Sequence, residues 1–418
     1  MSLIGSNIGL PEDDSNNDRL PRYMSSYPSG KVIFLLLLFL EFSKNFHIQA
    51  QESILREWQV WLIEAENGDT VFLPAGFFQF NRSLSIDDKK NLVVQGAGMH
   101  NTIISFKNQT DGAEGLKINR CANLTLLNLT ILDAKGDCIK ASYCENITFK
   151  NISTRWSGNP SKKNGGYGIY PVSCNGVIIE GCVAEAASDA GIYVGQSTHV
   201  LVKNCIARYN VAGIEIENCK HAEVLGCTVY QNSGGILVFD LPELPVKAGS
   251  NIRVHYNTVM ANNHKNFAPK GNIVGQVPPG TGIMVLSGSD VIVEHNMVCD
   301  NKTTSCAIVS FFISRRPFKD SLYNPYPRNV LIRQNTFQRR RMTPALNYSI
   351  GLFAFLKFGR RVPHIVYDGI LPLGVSDINP HNIRIGQNSD NSFVFLDAGH
   401  KFRNISRDIE PFREILKP

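Results

Sequence analysis

Aliphatic residues return along this chain at nearly fixed intervals. The quartets GLKI (115–118), GIYP (168–171), GIYV (191–194), GIEI (213–216), GILV (235–238) and GIMV (282–285) share one frame, and CIKA (138–141) and AIVS (307–310) fit it without the leading glycine. Their second residues are Leu116, Ile139, Ile169, Ile192, Ile214, Ile236, Ile283 and Ile308, separated by 23, 30, 23, 22, 22, 47 and 25 positions. A second set repeats in step: LTLLNLTI (124–131), ITFKNIST (147–154), VIIEGCVA (177–184), VLVKNCIA (200–207), AEVLGCTV (222–229), IRVHYNTV (252–259), VIVEHNMV (291–298) and VLIRQNTF (330–337). Alternation within each segment predicts short strands, and the larger period predicts coils of a solenoid. One coil cannot bury its own apolar side. Stacked coils share a continuous core, with parallel ladders about 4.8 Å apart. Leucine-rich repeats have a similar period but require a Leu-x-x-Leu-x-Leu frame and a helical half, and neither is present. The expectation is an all-β parallel β-helix.

Phase then predicts columns of like residues at the turns. One is Cys182, Cys205, Cys227, Asn257, Asn296 and Asn335; another is Cys121, Cys144, Cys174, Ser197 and Cys219. Asparagine side chains can hydrogen-bond along such a stack, and thiols fill the same slot as small apolar groups. Packing thus explains most of the ten cysteines, with no close Cys-x-x-Cys pair to suggest a metal. Disulfides, which an exported protein can form, stay open, since neighbouring rungs would need a geometry the spacing does not reveal.

The organisation expected is a polar extension plus signal peptide over 1–50, an N-terminal cap and first coil over 51–106, the β-helix over 107–400 and a tail over 401–418. Residues 31–50, KVIFLLLLFLEFSKNFHIQA, pair a lysine with a short apolar run and end at a small residue. That is an export pattern, too short to span a bilayer comfortably. It implies a secreted or periplasmic protein, free of the membrane after cleavage. Residues 240–280 interrupt the repeat, and long loops on a rigid scaffold frequently carry function.

Without residues 1–50 the chain has 38 basic and 31 acidic residues, a formal +7. From Asn301 to Arg361 there are twelve Lys or Arg and one acid, Asp320. A basic field favours anionic partners such as acidic glycans, phosphates or anionic lipid. Nucleic acid is not expected, because the basic residues belong to no recognised module.

The strings DAKGDCIK, GGYGIYPVSC, DAGIYVGQS, NVAGIEIENC, SGGILVFDLP, NFAPKGNIV and VPPGTGIMV together resemble the bacterial parallel β-helix repeat proteins of the pectate-lyase-like superfamily. The resemblance runs from about Gly68 to Gly399 and implies a right-handed parallel β-helix. The superfamily includes polysaccharide lyases, uronate epimerases, glycoside hydrolases and non-catalytic binding proteins, and fold alone does not choose among them. The Asp-Pro-His-Glu signature of alginate epimerases is missing.

If the aliphatic residue of each quartet points inward, its successor points outward. The outward column is Lys117, Lys140, Tyr170, Tyr193, Glu215, Leu237 and Met284. Two positions on, it is Asn119, Ser142, Val172, Gly195, Glu217, Phe239 and Leu286. Such a stripe suits an extended acidic polysaccharide. Lyase or epimerase chemistry needs a cation on the substrate carboxylate, a base and an acid. Lys140 with Tyr170 or Tyr193 offers that set, with tyrosine acting as base only if neighbouring cations favour phenolate. Tyr193→Phe and Lys140→Ala are then expected to spoil activity or binding without unfolding the chain. Lys117, Glu215, Glu217, Arg155 and Asp240 are candidate substrate contacts, with Arg155 and Trp156 forming an opposite wall. His264, in the long insertion, is a candidate acid or base. The turn residues Asp137 and Asp189, with Asp133, are candidate Ca²⁺ ligands or turn caps. A hydrolase would instead pair Glu215 and Glu217 with Asp189 or Asp240. The competing expectation is a non-catalytic glycan-binding or cell-envelope scaffold.

Overall fold

The structure, a computed structural model, describes residues 49–415. The polar extension and nearly all of the apolar export run lie outside the described residues. No described helix is long and apolar enough to cross a membrane.

From Gln51 onward the chain winds as a parallel β-helix with three ladders per coil. A back ladder runs from Thr70–Leu73 to Arg384–Ile385, and a corner ladder from Gly76–Gln79 to Thr336–Gln338. The long strands Thr125–Leu132 and Glu145–Arg155 serve both ladders. Among the described residues, a separate front sheet has eleven strands, from Arg82–Asp87 to Phe393–Phe395.

The front-sheet register stacks Leu116, Ile139, Ile169, Ile192, Ile214, Ile236 and Ile283 in one column. All seven are buried. The eighth member was misassigned: Cys306 faces Ile283, and Ile308 faces Val285. A shift of two residues keeps the same face of a strand inward, so alternation alone does not reveal it.

The turn columns form as hydrogen-bonded ladders. Asn257 N donates to Asn296 Oδ1 at 3.0 Å, and Asn296 N to Asn335 Oδ1 at 3.0 Å. Where sulfur occupies the column, Cys205 N donates to Cys227 Sγ at 3.5 Å, and Cys227 N reaches Asn257 Oδ1 at 2.8 Å. A further internal ladder joins Asn210, Asn232, Asn262 and Asn301. All ten cysteines are free thiols.

Both ends are covered, as an open β-stack requires. Helical residues 51–64 bury Leu55, Trp58 and Leu62, and the Trp58 ring lies 4.5 Å from that of Phe78. At the other end Phe412 packs against Tyr367, Phe393 and Phe395.

A second apolar layer lies outside the front sheet. Outward-facing Leu237, Phe239, Met284, Leu286 and Val309 are buried under Phe267, Val274 and Val277 of one insertion and Phe311 and Tyr323 of another. The expected open stripe is therefore corrected: beyond the Tyr167–Val172 strand the outward face is covered. The cause is in the residues themselves, since apolar side chains pointing outward need a cover.

Candidate functional site

The front-sheet strands bring three sets of side chains together. Glu114, Asp137 and Tyr167 each stand two positions before the inward aliphatic residue, where the alternation is broken, since a Cβ on the intervening Gly168 would point into the core against Ala184. Lys117, Lys140, Tyr170, Tyr193 and Glu215 form the second, outward column, and Val172, Gly195 and Glu217 belong to the third, also outward. The cover begins near Tyr193, so this region spans the edge between an open surface and an enclosed one.

On the open side, Lys140 Nζ lies 3.8 Å from Glu114 Oε1 and 5.2 Å from the Tyr170 ring centroid. Asp137 Oδ1 accepts the Tyr167 amide at 3.1 Å. Burial, reinforced by the nearby Glu114 charge, pushes the Asp137 carboxyl up to about 6, against the opposing pull of the Tyr167 amide and Lys140.

Tyr167, Tyr170 and Tyr193 form an aromatic trio with ring centroids 4.5 to 4.9 Å apart. Burial and neighbouring carboxylates hold their phenols protonated, with Tyr170 pushed up to about 12. The condition for a tyrosine base is thus not met. Lys140 lies over the Tyr170 ring, but burial and the nearby carboxylates prevail at its hydroxyl, and the Tyr193 hydroxyl serves as a donor to Glu217.

Asp189, Glu215 and Glu217 cluster beneath the cover, all buried. Burial raises all three carboxyls, Asp189 to about 7; repulsion from neighbouring carboxylates adds to it at Asp189 and Glu215, while hydrogen bonds from Tyr193 and Glu215 oppose it at Glu217. Tyr193 donates to Glu217 Oε1 at 2.6 Å, and Asn272, from the insertion, donates to Asp189 Oδ2 at 2.6 Å. Glu215 Oε2 is buried without a partner. Glu215 and Glu217 are outward-facing but enclosed, which removes them from direct contact with a polymer on the open surface.

The remaining candidates disperse. Lys117 is exposed one rung below Lys140. Asp240 is buried, accepts the Gly249 amide at 3.1 Å, and burial pushes it up to about 7, so it anchors a loop. Arg155 is exposed on the corner ladder opposite Glu185, away from the front sheet. The His264 ring contacts Lys265 O at 2.9 Å and Phe267, so the insertion delivers Asn272 to the acidic cluster while His264 stays in its own loop. Asp133 caps Ser157, accepting its amide at 2.5 Å. Among the described residues no group of three or more His, Cys, Asp or Glu is placed to hold a metal ion.

Three site residues escaped the sequence reading. Tyr167 and Glu114 sit two positions before the aliphatic residue, where strict alternation points inward, so the parity argument passes over them. Asn272 comes from an irregular loop, and no periodicity points to it.

Residues 153–312 match the family model described as a right handed beta helix region. A pre-neck appendage protein of Bacillus phage B103 is 24% identical over 331 residues, which cover 68% of this chain and 37% of the relative. The chain thus spans little more than a third of that relative's length. Among solved structures, the A-module of a mannuronan C-5 epimerase from Azotobacter vinelandii is 17% identical, with a TM-score of 0.48, over 77% of this chain and 85% of that one. A periplasmic alginate epimerase is 10% identical, with a TM-score of 0.44, over 82% and 85%. A pectate lyase is 13% identical, with a TM-score of 0.39, over 67% and 69%. At these identities the likeness concerns the fold.

Proposed function

We propose that this right-handed parallel β-helix protein is exported and modifies an acidic polysaccharide on the open rungs of its front sheet, by lyase or epimerase chemistry. The observation that carries this reading is the Asp137 carboxyl, pushed up to about 6 beside Lys140 and Tyr170 at the edge of the cover. A carboxyl near neutrality exchanges protons efficiently at physiological pH.

In this reading Lys140, with Lys117 one rung away, meets the uronate carboxylate and acidifies the adjacent carbon. Asp137, as carboxylate, takes the proton from that carbon. In elimination the electron pair left on that carbon forms a double bond to the next ring carbon, whose bond to the glycosidic oxygen breaks; the oxygen leaves with that bond's electron pair and takes its proton from the Tyr170 hydroxyl. In epimerisation the same hydroxyl returns a proton to the opposite face of the carbon. Burial first, and the neighbouring carboxylates second, keep the three phenols protonated. No step is routed through a metal.

The test is a panel of alginate, pectate and glycosaminoglycan, with and without Ca²⁺, read by ultraviolet absorbance for unsaturated ends and by NMR for inverted uronates. Product formation that rises with pH through about 6 and is lost in Asp137→Asn and Lys140→Ala is expected. A second reading, a non-catalytic glycan-binding scaffold, draws on the phage relative, whose name describes an appendage. Binding without product across the panel selects the scaffold and ends the catalytic reading.

A further inference from the structure

At the C-terminal end of the solenoid, five arginines converge on a pocket of about 400 Å³. Arg339 and Arg341 follow the corner strand Thr336–Gln338; Arg360 and Arg361 precede the front strand Ile365–Tyr367; Arg407 comes from the terminal segment. A single carboxylate, Asp390, also lines the pocket, leaving a formal +4. Among the described residues none of the five has a carboxylate within the 4.0 Å of an ion pair, although their neighbours Arg340 and Arg413 pair with Asp300 at 2.9 Å and Glu410 at 2.6 Å.

Arg339 is the fixed member. Its guanidinium donates to the carbonyls of Val362 and Asn301, neutral acceptors that orient it without cancelling its charge. Burial pushes it down to about 10, and Asp390 is the opposing charge. His364 adds no cation at neutral pH: burial and Arg339 push it down to about 4, and its Nδ1 lies 2.6 Å from Ser305 Oγ. The other four arginines are exposed around Arg339.

We propose that this pocket binds a tetrahedral oxyanion, the phosphate or sulfate group of a small compound or of a polymer chain. Self-repulsion among unpaired guanidinium groups is relieved by a dense anion, and each forked donor matches two oxygens of such a group. A uronate carboxylate, with one charge and two oxygens, leaves most of the arginines unserved. The pocket lies six rungs from the Tyr170 strand, roughly 29 Å at about 4.8 Å per rung, so it is separate from the site of the proposed reaction.

The experiment titrates the full chain by calorimetry with inorganic pyrophosphate, dextran sulfate and polygalacturonate at about 0.15 M salt. Saturable binding of pyrophosphate or dextran sulfate, weakened about tenfold or more in Arg341→Gln/Arg361→Gln, is expected. Both residues of that variant are exposed, and removing two like charges relieves repulsion, so its Tm without ligand should not fall below that of the wild type. Arg339→Gln gives a second, independent loss. Pyrophosphate binding identifies a small phosphate compound as sufficient; dextran sulfate binding alone identifies ester groups on a chain; either supports the site. Absence of binding to both, tighter binding to polygalacturonate, or binding unchanged in both variants overturns it.

Discussion

The Tyr193 hydroxyl reaches Glu217 Oε1 across Gly195, at 2.6 Å. Gly195 makes this possible: a Cβ built there would lie 2.4 Å from the Tyr193 oxygen and 2.5 Å from its ring. Glycine stands in the third outward column because the phenol of the second column occupies its space. Gly195→Ala should therefore cost about 1–3 kcal/mol through overpacking. Tyr193→Phe should cost a similar ~1–3 kcal/mol by leaving a buried carboxyl oxygen without its donor. Tyr193→Phe should thus lower stability as well as activity or binding, while still leaving the chain folded. The double variant should lose less than the sum of the two, because both changes act on the same phenol. Denaturant unfolding of the four proteins reads this directly, and simple additivity contradicts it.

The acidic cluster sets a pH dependence of stability. Burial pushes Asp189 up to about 7, against about 3.9 in an unfolded chain. A carboxyl raised by folding contributes its stability fully below the unfolded value and loses it as pH rises through the folded one. Asp189→Asn fixes the neutral form and should escape this loss. The Tm difference between Asp189→Asn and wild type should therefore shift in favour of the variant from pH 5 to pH 8. Comparing two proteins cancels the contribution of His255, His364 and His381, whose pKa values burial lowers, so that their stability contribution rises with pH, opposite in sense to that of Asp189. A difference that stays flat, or moves the other way, contradicts the buried placement of Asp189.

Much of the fold was legible because the β-helix repeats its instructions. The column from Leu116 to Ile283 and both turn ladders follow from spacing alone, and only the slip at Ile308 escaped, since a two-residue shift preserves the face. The site was less legible. Parity put Lys140, Tyr170, Tyr193 and Glu215 on one outward column but said nothing of the cover. The signal for that cover was present in Leu237, Phe239, Met284 and Leu286, which are poor candidates for an open face. The donor Asn272 carries no periodic signature. The basic run was visible as composition, yet Arg339, Arg361 and Arg407 meet only because successive coils return to the same corner.

The asparagine ladder should be the costliest polar feature to interrupt. Asn296 Oδ1 accepts the Asn257 amide at 3.0 Å, and its Nδ2 donates to Val254 O at 2.8 Å and Asn335 Oδ1 at 3.0 Å. Asn296→Leu strands these groups in the core, at about 1–3 kcal/mol for each one left unpaired. Asn296→Cys should be milder, because Cys227 holds the same column and its sulfur already accepts the Cys205 amide at 3.5 Å. Thermal unfolding should rank wild type above Asn296→Cys above Asn296→Leu. A cysteine variant no better than leucine would mean that the ladder acts by shape alone.

Inward and outward positions on the back ladder differ by a single residue, which permits a stringent check of phase. Ile178 is 38% exposed and Ile179 is 0% exposed. Ile179→Asp places an unpaired charge in the shared core, as does Ile192→Asp on the front sheet, where Ile192 is also fully buried. Each should abolish cooperative unfolding, since an isolated carboxylate in an apolar interior costs more than the ~5–15 kcal/mol that holds a typical domain together. Ile178→Asp, facing solvent, should retain a cooperative transition within about 1 kcal/mol of wild type. Circular dichroism melts of the three variants decide the matter. If Ile178→Asp were the one that unfolds, the back-ladder columns would be out of phase by one residue; if Ile192→Asp kept a cooperative transition, the outward positions of Lys140 and Tyr170 on the front sheet would fail with it.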